Sequence, residues 1–272
     1  MAEKVLFITG ASSGIGLATV KYFAEKGWKV AATMRNPEAV PELLNRQGVN
    51  TYALDVTDHA AVTSVVQSAI RDFKKIDVVI NNAGYGAIGP FEGAGEDQLF
   101  KQMDTNFFGT TRITAAFIPH FKSNGGGTFI NLSSIAGRVA MPLYSVYHAS
   151  KYAVEGFSES ISFELRPFNI KVRLVEPGPI KTEFNGRSRV DLIPEEISEY
   201  KAFVEKVDTI YSKAFNSAEE SSVVVKAIYK AAICKNYKLR FPAGIQAKAL
   251  LLFNKILPGR WLRWVVRKTM KI

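Results

Sequence analysis

The sequence is poor in the residues that build disulfides and metal centres. Its 272 residues include one cysteine, Cys234, and three histidines. A single cysteine cannot form an intrachain disulfide, and the scattered histidines provide no cluster of metal ligands. We therefore expect no metal site and a reducing compartment, and we predict a cytoplasmic location.

Long hydrophobic runs are also missing. The longest apolar run near the end of the chain is "ALLLF" at 249–253, whereas a bilayer-spanning helix needs about 20 apolar residues. The first residues, "MAEKVLFITG", lack the basic region and long apolar stretch of a signal peptide, and we interpret them as the first strand of the fold. Without repeats or linkers, the chain is predicted to form one domain over 1–272.

Acidic residues are absent from the last part of the chain. From Ser221 to Ile272 there are 12 Lys and Arg and no Asp or Glu. The preceding 220 residues carry 23 basic and 25 acidic side chains, so the net charge of +10 belongs to the tail. We therefore expect no nucleic-acid partner for the body of the protein.

Short apolar runs alternate with segments of helical periodicity. Runs typical of buried strands lie at 4–10, 28–34, 49–56, 76–84, 127–134, 169–178 and 236–241. Helices are predicted in between, including a segment at 37–48 and two long helices at about 96–122 and 144–166. This pattern predicts an α/β fold with a single doubly wound parallel sheet, of the Rossmann type, with about seven strands and helices on both faces. Ligands of such sheets bind at the carboxyl ends of the strands.

The first strand ends in a glycine-rich turn, "TGASSGIG" at 9–16. Glycines allow a sharp turn and a close approach to a pyrophosphate, and the following helix offers unpaired N–H groups at its N-terminus. The turn therefore indicates a dinucleotide cofactor, although glycines also serve tight turns that need positive φ. The predicted cofactor contacts are Gly10, Ser12, Ser13, Gly14, Ile15 and Gly16.

The residues after the second strand bear on the choice of cofactor. Met34 holds the place where an Asp or Glu usually binds a free ribose 2′-hydroxyl, and Arg35 follows it. Arginine suits a 2′-phosphate, so NADP(H) is preferred and NAD(H) is possible. The alternative is a solvated arginine on a loop.

Small or polar residues follow the remaining strands. Because parallel strands end at one edge of the sheet, these residues predict one site, and most of them are expected to contact the cofactor. They are Asp55 and Val56, then Asn82, Ala83 and Gly84, then Ser133 and Ser134, and finally Pro177, Gly178, Ile180 and Thr182.

Tyr147 and Lys151 lie four residues apart in "YHASK", which places them on one helix face. With the segments "TGASSGIG", "NNAG", "TNFFG", "NLSS" and "PGPIKT", this motif resembles the short-chain dehydrogenases/reductases over nearly the full chain. Ser134 precedes Tyr147 by 13 residues, which is the spacing of that family. The resemblance implies reversible hydride transfer between a nicotinamide cofactor and an alcohol or carbonyl group.

The resemblance also assigns roles to a catalytic tetrad. Tyr147 would exchange a proton with the substrate oxygen, which Ser134 would orient. Lys151 would hold the nicotinamide ribose, and together with the positive nicotinamide ring it would favour the phenolate. Asn106 would hold a water through which Lys151 exchanges protons with solvent. The nearby polar residues are interpreted as supporting or substrate-edge residues: Ser133, Tyr144, Ser145 and His148.

Weaker features concern the substrate. "TMRNPE" and "KLRFPAG" resemble the hydroxysteroid- and retinol-dehydrogenase branch, which implies an apolar ketone, aldehyde or alcohol of steroid, retinoid or lipid type. The family places its variable substrate lid at about 182–218, although a helix pair burying its own apolar stripe explains this segment equally well. Its apolar residues are Phe184, Leu192, Ile193, Tyr200, Phe203, Val204 and Tyr211.

Three other functions remain open at this stage. They are a cofactor-binding regulatory protein without turnover, an NAD(H)-linked alcohol dehydrogenase, and epimerisation or dehydration of a nucleotide sugar. The family also implies a homodimer formed through the two long helices.

The basic C-terminal extension, about 243–272, ends in "PGRWLRWVVRKTMK". On a helix, Arg260, Arg263, Arg267 and Lys271 follow one side. We expect this helix to pack on the body of the protein with its cationic face in solvent. A peripheral membrane helix and a contact with an anionic substrate, such as an acyl-thioester carrier, are the alternatives.

Overall fold

Seven parallel strands form the central sheet of the computed structural model, which describes residues 3–181, 189–192 and 198–270. The strands are β1 (Val5–Ile8), β2 (Lys29–Met34), β3 (Val49–Ala53), β4 (Val78–Asn81), β6 (Gly127–Leu132), β7 (Ile170–Pro177) and β11 (Arg240–Ala243). Their spatial order is β3-β2-β1-β4-β6-β7-β11. The order reverses next to β1, which opens a crevice at the carboxyl ends of β1 and β4. The predicted doubly wound parallel sheet is confirmed.

Two small parallel pairs lie outside this sheet. They are β5 (Gly86–Ile88) with β9 (Arg189–Asp191), and β8 (Ile180–Lys181) with β10 (Glu219–Glu220). The first pair connects the segment after β4 to the predicted substrate lid.

Ten α-helices surround the sheet in the part of the chain that the structure describes. They are α1 (Gly14–Glu25), α2 (Pro41–Leu44), α3 (His59–Phe73), α4 (Glu96–Met103), α5 (Gly109–Ser123), α6 (Ser145–Leu165), α7 (Lys201–Asn216), α8 (Ser221–Ile233), α9 (Ile245–Ile256) and α10 (Gly259–Met270).

The sheet has a separate hydrophobic core on each face. On one face, Phe23 of α1 and Ile228 of α8 are fully buried against the strands. On the other face, Phe117 of α5 is fully buried, and Ile161 of α6 packs beside it. The inner strands β1, β4, β6 and β7 are buried on both sides, which explains why they are apolar runs without alternation.

The helix predicted at 37–48 is wrong over most of its length. The structure has a 3₁₀ turn at Pro37–Ala39 and then only the single turn of α2. The reason is Pro41, which lacks an N–H group and keeps Val40 out of helical geometry, at φ −131° and ψ 66°.

The long helix predicted at 96–122 is interrupted. A π-helical turn, Asp104–Phe108, separates α4 from α5. Gly109 follows this turn, and a Cβ there would lie 2.7 Å from a methyl carbon of Val56. The close approach of the helix to the end of β3 therefore requires glycine.

The last two helices depart in part from the expected packing. Met270 of α10 is buried in a cluster with α7 and with Tyr147 of α6, as expected for a helix that packs on the body. Trp261 and Trp264, however, are 50% and 53% exposed, so the outer side of α10 carries aromatic rings as well as cations.

Among the helices that the structure describes, none combines the length and the hydrophobicity that a membrane span requires.

Candidate active site

A cavity of about 900 Å³ lies at the carboxyl ends of the strands. This volume is in the usual range for the binding site of a small ligand. The residues predicted for the cofactor lie together on its walls: Gly10, Ser12, Ser13, Gly14, Ile15, Gly16, Arg35, Asp55, Val56, Asn82, Ala83, Gly84, Tyr147, Lys151, Pro177, Gly178 and Ile180. Thr182 lies outside the described residues. Of the predicted tetrad, Ser134, Tyr147 and Lys151 line the cavity.

The glycine-rich turn is held against the end of β4. The Nδ2 group of Asn82 donates hydrogen bonds to the carbonyl oxygens of Thr9 and Gly10, each at 2.9 Å. Gly10 has φ +67°, and a Cβ on Gly16 would lie 2.1 Å from the Gly10 carbonyl oxygen. Glycine is therefore required at both positions for the turn and for its contact with α1.

The N-terminus of α1 fits a phosphate group. Its N-cap residue Ser13 makes no side-chain cap, and the first turn has no acidic residue. The first N–H groups of a helix have no partner within it, and the helix dipole adds a partial positive charge. Ser13, Gly14 and Ile15 line the cavity, so these donors are available to an anion there.

Tyr147 and Lys151 lie side by side on the buried face of α6. Lys151 Nζ is 5.7 Å from the centre of the Tyr147 ring and donates a 2.8 Å hydrogen bond to the Leu132 carbonyl. Only 8% of Tyr147 and 7% of Lys151 is exposed. Burial lowers the pKa of Lys151 to about 8, and Glu155 opposes this shift.

The expected effect of Lys151 on the pKa of Tyr147 stays a prediction. In the chain without cofactor, burial raises the pKa of Tyr147, and a hydrogen bond with Ser134 lowers it. Lys151 Nζ bonds to the Leu132 carbonyl and lies to the side of the phenol ring. The other expected contribution, the positive nicotinamide ring, belongs to the cofactor and not to the chain. In this state Tyr147 therefore holds its proton.

Ser134 stands at the end of β6 beside Tyr147. Its hydroxyl oxygen accepts a 3.1 Å hydrogen bond from the Ala136 amide, which fixes the side chain at the start of a 3₁₀ turn, Ile135–Gly137. The hydroxyl also hydrogen-bonds to Tyr147. A substrate oxygen that meets one of these two hydroxyls therefore lies close to the other.

Asn106 is placed differently from the other three tetrad residues. It lies in the π-helical turn, is 1% exposed, and is not among the residues that line the cavity. Its side chain bonds to the Tyr85 backbone at 2.9 and 3.0 Å and to the Ser150 hydroxyl at 3.0 Å. These contacts tie the segment after β4 to α6 directly behind the cavity wall, and the water-holding role of Asn106 stays a prediction.

His148 follows Tyr147 in the sequence, but both nitrogens of its ring are hydrogen-bonded to backbone groups. Its Nδ1 group donates to the Ala136 carbonyl at 2.6 Å, and Nε2 accepts from the Met141 amide at 2.8 Å. Burial lowers the pKa of His148, so the neutral form persists. Its geometry agrees with the supporting role expected for it.

Sequence reasoning missed a buried cluster of charges behind Lys151. Glu155, one turn after Lys151 on α6, is 4% exposed and lies 3.2 Å from Arg240, with Arg138 at 3.9 Å. Glu176 on β7 is 1% exposed, and its nearest cation is Arg240 at 3.7 Å. The i, i+4 spacing of Lys151 and Glu155 is a sequence signal that the two charges lie on one face of a helix. The approach of Arg240 to Glu176 has no such signal, because it depends on the pairing of β11 with β7.

The pKa of Glu176 makes stability depend on pH. Burial, and then the charge of Glu155, raise this pKa from 4.5 to about 7. The folded protein therefore keeps this proton to a higher pH than the unfolded chain, and the free energy of unfolding falls as the pH rises from about 5 to 7. The total loss is about 3 kcal/mol.

Glu176→Gln is expected to remove this loss. The variant should exceed the wild type in free energy of unfolding by about 3 kcal/mol at pH 8 and be nearly equal to it at pH 5, as measured by chemical denaturation. Glu159→Gln is the matched control, because Glu159 also binds Arg240 but is 51% exposed. We expect that control to lose at most about 1 kcal/mol. Equal effects of Glu176→Gln at both pH values would contradict the assignment.

Next to Tyr147 the cavity wall is largely apolar, and the last helices contribute to it. Tyr144 and Tyr211 stack edge to face there, with ring centres 5.0 Å apart. The wall is completed by residues of α7, α9 and α10: Ile210, Tyr211, Ala214, Phe215, Gln246, Leu250, Thr269 and Met270. Periodicity alone does not place the tail at the apolar wall of the site, because it does not show which elements a helix packs against.

The predicted lid is described in part. Phe184 and Ile193 lie outside the described residues. Leu192 is buried in a cluster with Ala87 and Val146. Val204 and Tyr211 are buried within α7, and Tyr211 also lines the cavity. Helix α7 therefore both buries its own stripe and forms the cavity wall.

The sheet and the group of Ser134, Tyr147 and Lys151 define an oxidoreductase of the dehydrogenase/reductase class. Residues 4–192 match the family model of the short chain dehydrogenases. The chain belongs to the short-chain dehydrogenase family.

Relatives match over nearly their whole length. A 3-ketodihydrosphingosine reductase from Bacteroides thetaiotaomicron is 34% identical over 98% of this chain and 98% of its own. A solved short-chain dehydrogenase from Streptomyces avermitilis has a TM-score of 0.84 and 29% identity, covering 99% of this chain and 97% of that one. A short chain dehydrogenase from Burkholderia cenocepacia, solved in complex with NADP, has a TM-score of 0.77 and 26% identity over 98% and 97% of the two chains.

Proposed function

We propose that this protein is an NADP(H)-dependent reductase of ketones carried on an apolar body of lipid type, with Tyr147 as the proton donor. The observation that carries the proposal is the cavity itself. Ser134, Tyr147 and Lys151 stand at its polar end, and the rings of Tyr144 and Tyr211 and the side chains of α9 and α10 form the apolar side.

The comparisons support the same substrate class. One full-length relative is named a 3-ketodihydrosphingosine reductase. The compound in that name is a lipid that carries a ketone group. We therefore favour the lipid-like member of the predicted substrates over steroids and retinoids. The hydroxysteroid/retinol branch itself stays a prediction.

The residues of the chain supply the proton of the proposed reaction and position the carbonyl oxygen that receives it. When bound, NADPH supplies the hydride that reduces the carbonyl carbon. Ser134 and Tyr147 both hydrogen-bond to the carbonyl oxygen, and Tyr147 transfers its proton to that oxygen to complete the alcohol. A protonated Tyr147 suits this direction, because its raised pKa keeps the proton in place until charge develops on the oxygen. Lys151 is proposed to bind the ribose hydroxyls through Nζ, which donates to the Leu132 carbonyl at 2.8 Å.

A panel of ketones with increasing apolar chain length tests the proposal. The oxidation of NADPH should be stimulated by these ketones, and kcat/KM should rise with chain length because longer chains bury more apolar surface. Tight NADPH binding without turnover on any of them would favour a regulatory protein. Turnover only with NADH would favour the NAD(H)-linked alternative.

Arg35 is proposed to select the cofactor. Its side chain is exposed at the cavity, directly after β2, and is available to a 2′-phosphate. We expect NADPH to bind at least about tenfold more tightly than NADH, a difference of ~1.4 kcal/mol. Arg35→Ala should reduce this ratio, as measured by fluorescence titration with each cofactor. Arg71→Ala, on the outside of α3, should leave the ratio unchanged. Equal affinities in the wild type would refute the role of Arg35.

We further propose a homodimer formed through α4, α5 and α6, in a cytoplasmic setting. Phe100 and Phe163, on α4 and α6, are 60% and 69% exposed, as expected for side chains that a second subunit covers. Light scattering at micromolar concentration checks this, and the mass of a single chain would contradict it.

A further inference from the structure

The outer face of α9 carries an apolar stripe that none of the described residues covers. Ile245, Ala249, Leu252, Phe253 and Ile256 follow one another at helical spacing, so they share one side of the helix. Four of these side chains are large, and they are between 57% and 76% exposed. The stripe is not the face by which α9 packs on the protein.

That inner face of α9 is occupied. Ala247 is fully buried, and the side chain of Asn254 donates to the Arg138 carbonyl at 3.2 Å. Both residues lie on the opposite side of the helix from the stripe. Helix α9 therefore packs on the protein by one face, and the apolar stripe on its other face has no partner among the described residues.

Helix α10 has the same arrangement. Met270 is buried, whereas Trp261, Trp264 and Val265 lie on the opposite side and are 39% to 53% exposed. The two indole rings pack against each other, with centres 6.3 Å apart. Trp261 and Trp264 also have cations over their rings, Arg260 at 5.9 Å and Lys268 at 6.0 Å.

The charged residues of α9 and α10 are all positive, and the carboxylate at the start of the stripe, Glu219, accepts a hydrogen bond from the Ile245 amide at 2.8 Å. Lys248 and Lys255 flank the stripe on α9. Helix α10 adds four exposed cations, namely Arg260, Arg263, Arg267 and Lys268. Neither helix contains an acidic residue, and there is none from Ser221 to Ile272. A partner of this surface therefore needs negative charge at its boundary and an apolar layer beneath.

We propose that the outer faces of α9 and α10 dock on an anionic lipid surface. Exposed tryptophan and phenylalanine rings insert at the level of the headgroups, and lysine and arginine bind the anionic headgroups around them. A second copy of the chain fits less well, because a symmetric contact through these faces would bring two sets of like charges together. A nucleic acid provides negative charge but no apolar layer for the stripe.

The same two helices line the cavity on their inner sides. Leu250 of α9 and Met270 of α10 belong to the apolar wall next to Tyr144 and Tyr211. Docking by the outer faces therefore brings the wall of the cavity that α9 and α10 form to the lipid surface.

Co-sedimentation of the full-length protein with vesicles tests the docking. At about 0.15 M salt we expect binding to vesicles that contain anionic phospholipid, and at least about tenfold weaker binding to purely zwitterionic vesicles. The variant Trp261→Ser/Trp264→Ser should bind anionic vesicles at least about tenfold more weakly. Phe91→Ser/Phe168→Ser is the matched control, since both rings are exposed, at 64% and 42%, and lie far from the tail in the sequence. That control should bind like the wild type.

Several results would overturn the proposal. They are no vesicle binding at this salt concentration, equal binding to both vesicle types, and equal losses in the tryptophan and control variants. A dimer mass that the tryptophan variant abolishes, without vesicle binding, would assign the surface to a second copy. Thermal unfolding and NADPH affinity of the tryptophan variant should match the wild type. Tyr147→Phe should bind vesicles normally, so the docking and the proposed reaction fail or succeed independently.

Discussion

Tyr147→Phe is expected to lower kcat by about 10³-fold, because the phenol is the proton donor and general acid catalysis contributes on this scale. The ring is retained, so the packing against Tyr144, with ring centres 6.2 Å apart, should be kept. NADPH affinity should change by less than about threefold, because the variant keeps the Tyr147 ring in the cavity wall and removes only one hydroxyl among the many predicted cofactor contacts. Steady-state kinetics and a binding titration with NADPH measure the two quantities separately.

The control for Tyr147→Phe is Tyr152→Phe. Tyr152 is on the same helix but is 45% exposed and lies outside the cavity. This variant should retain nearly full turnover. If Tyr147→Phe keeps more than about a tenth of the wild-type kcat, a loss of only ~1.4 kcal/mol, another group supplies the proton.

Gly16→Ala is expected to lower the free energy of unfolding by about 3 kcal/mol and NADPH affinity by at least about tenfold. The added Cβ would lie 2.1 Å from the Gly10 carbonyl oxygen and 2.7 Å from Asn82 Nδ2. Since the first obstacle is backbone, α1 must move away from the glycine-rich turn. The N–H groups at the start of α1 then move relative to the cavity.

Gly156→Ala is the control for Gly16→Ala. Gly156 lies within α6, and no atom lies within 4 Å of a Cβ placed there. Alanine should therefore stabilise that helix by about 0.5–1 kcal/mol and leave NADPH affinity unchanged. Chemical denaturation and NADPH titration of both variants check the pair. Wild-type stability in Gly16→Ala would mean that the turn accommodates a side chain, contrary to the geometry.

Much of the fold was accessible from the sequence, because the apolar runs of a parallel sheet are bounded by turns and separated by amphipathic helices. The same rule located the site, since residues as distant as Gly10 and Gly178 both follow parallel strands and so meet at one edge. Helical periodicity predicted continuous helices at two places where the structure has an interruption. Pro41 stopped the helix after β2, and the π-helical turn before Gly109 was hidden within a continuous apolar pattern.

By itself, the sequence determined the class of fold, the strand-end motifs and the side-by-side placement of Tyr147 and Lys151. These features depend on near neighbours in the chain or on the common direction of the strands. Tertiary structure decided the direction in which the pKa values of Tyr147 and Glu176 shift, because burial sets the cost of a charge. It also decided that α9 and α10 line the cavity inwardly while exposing apolar faces outwardly. An amphipathic pattern shows that a helix has an apolar face, but only packing shows which apolar face is left for a partner.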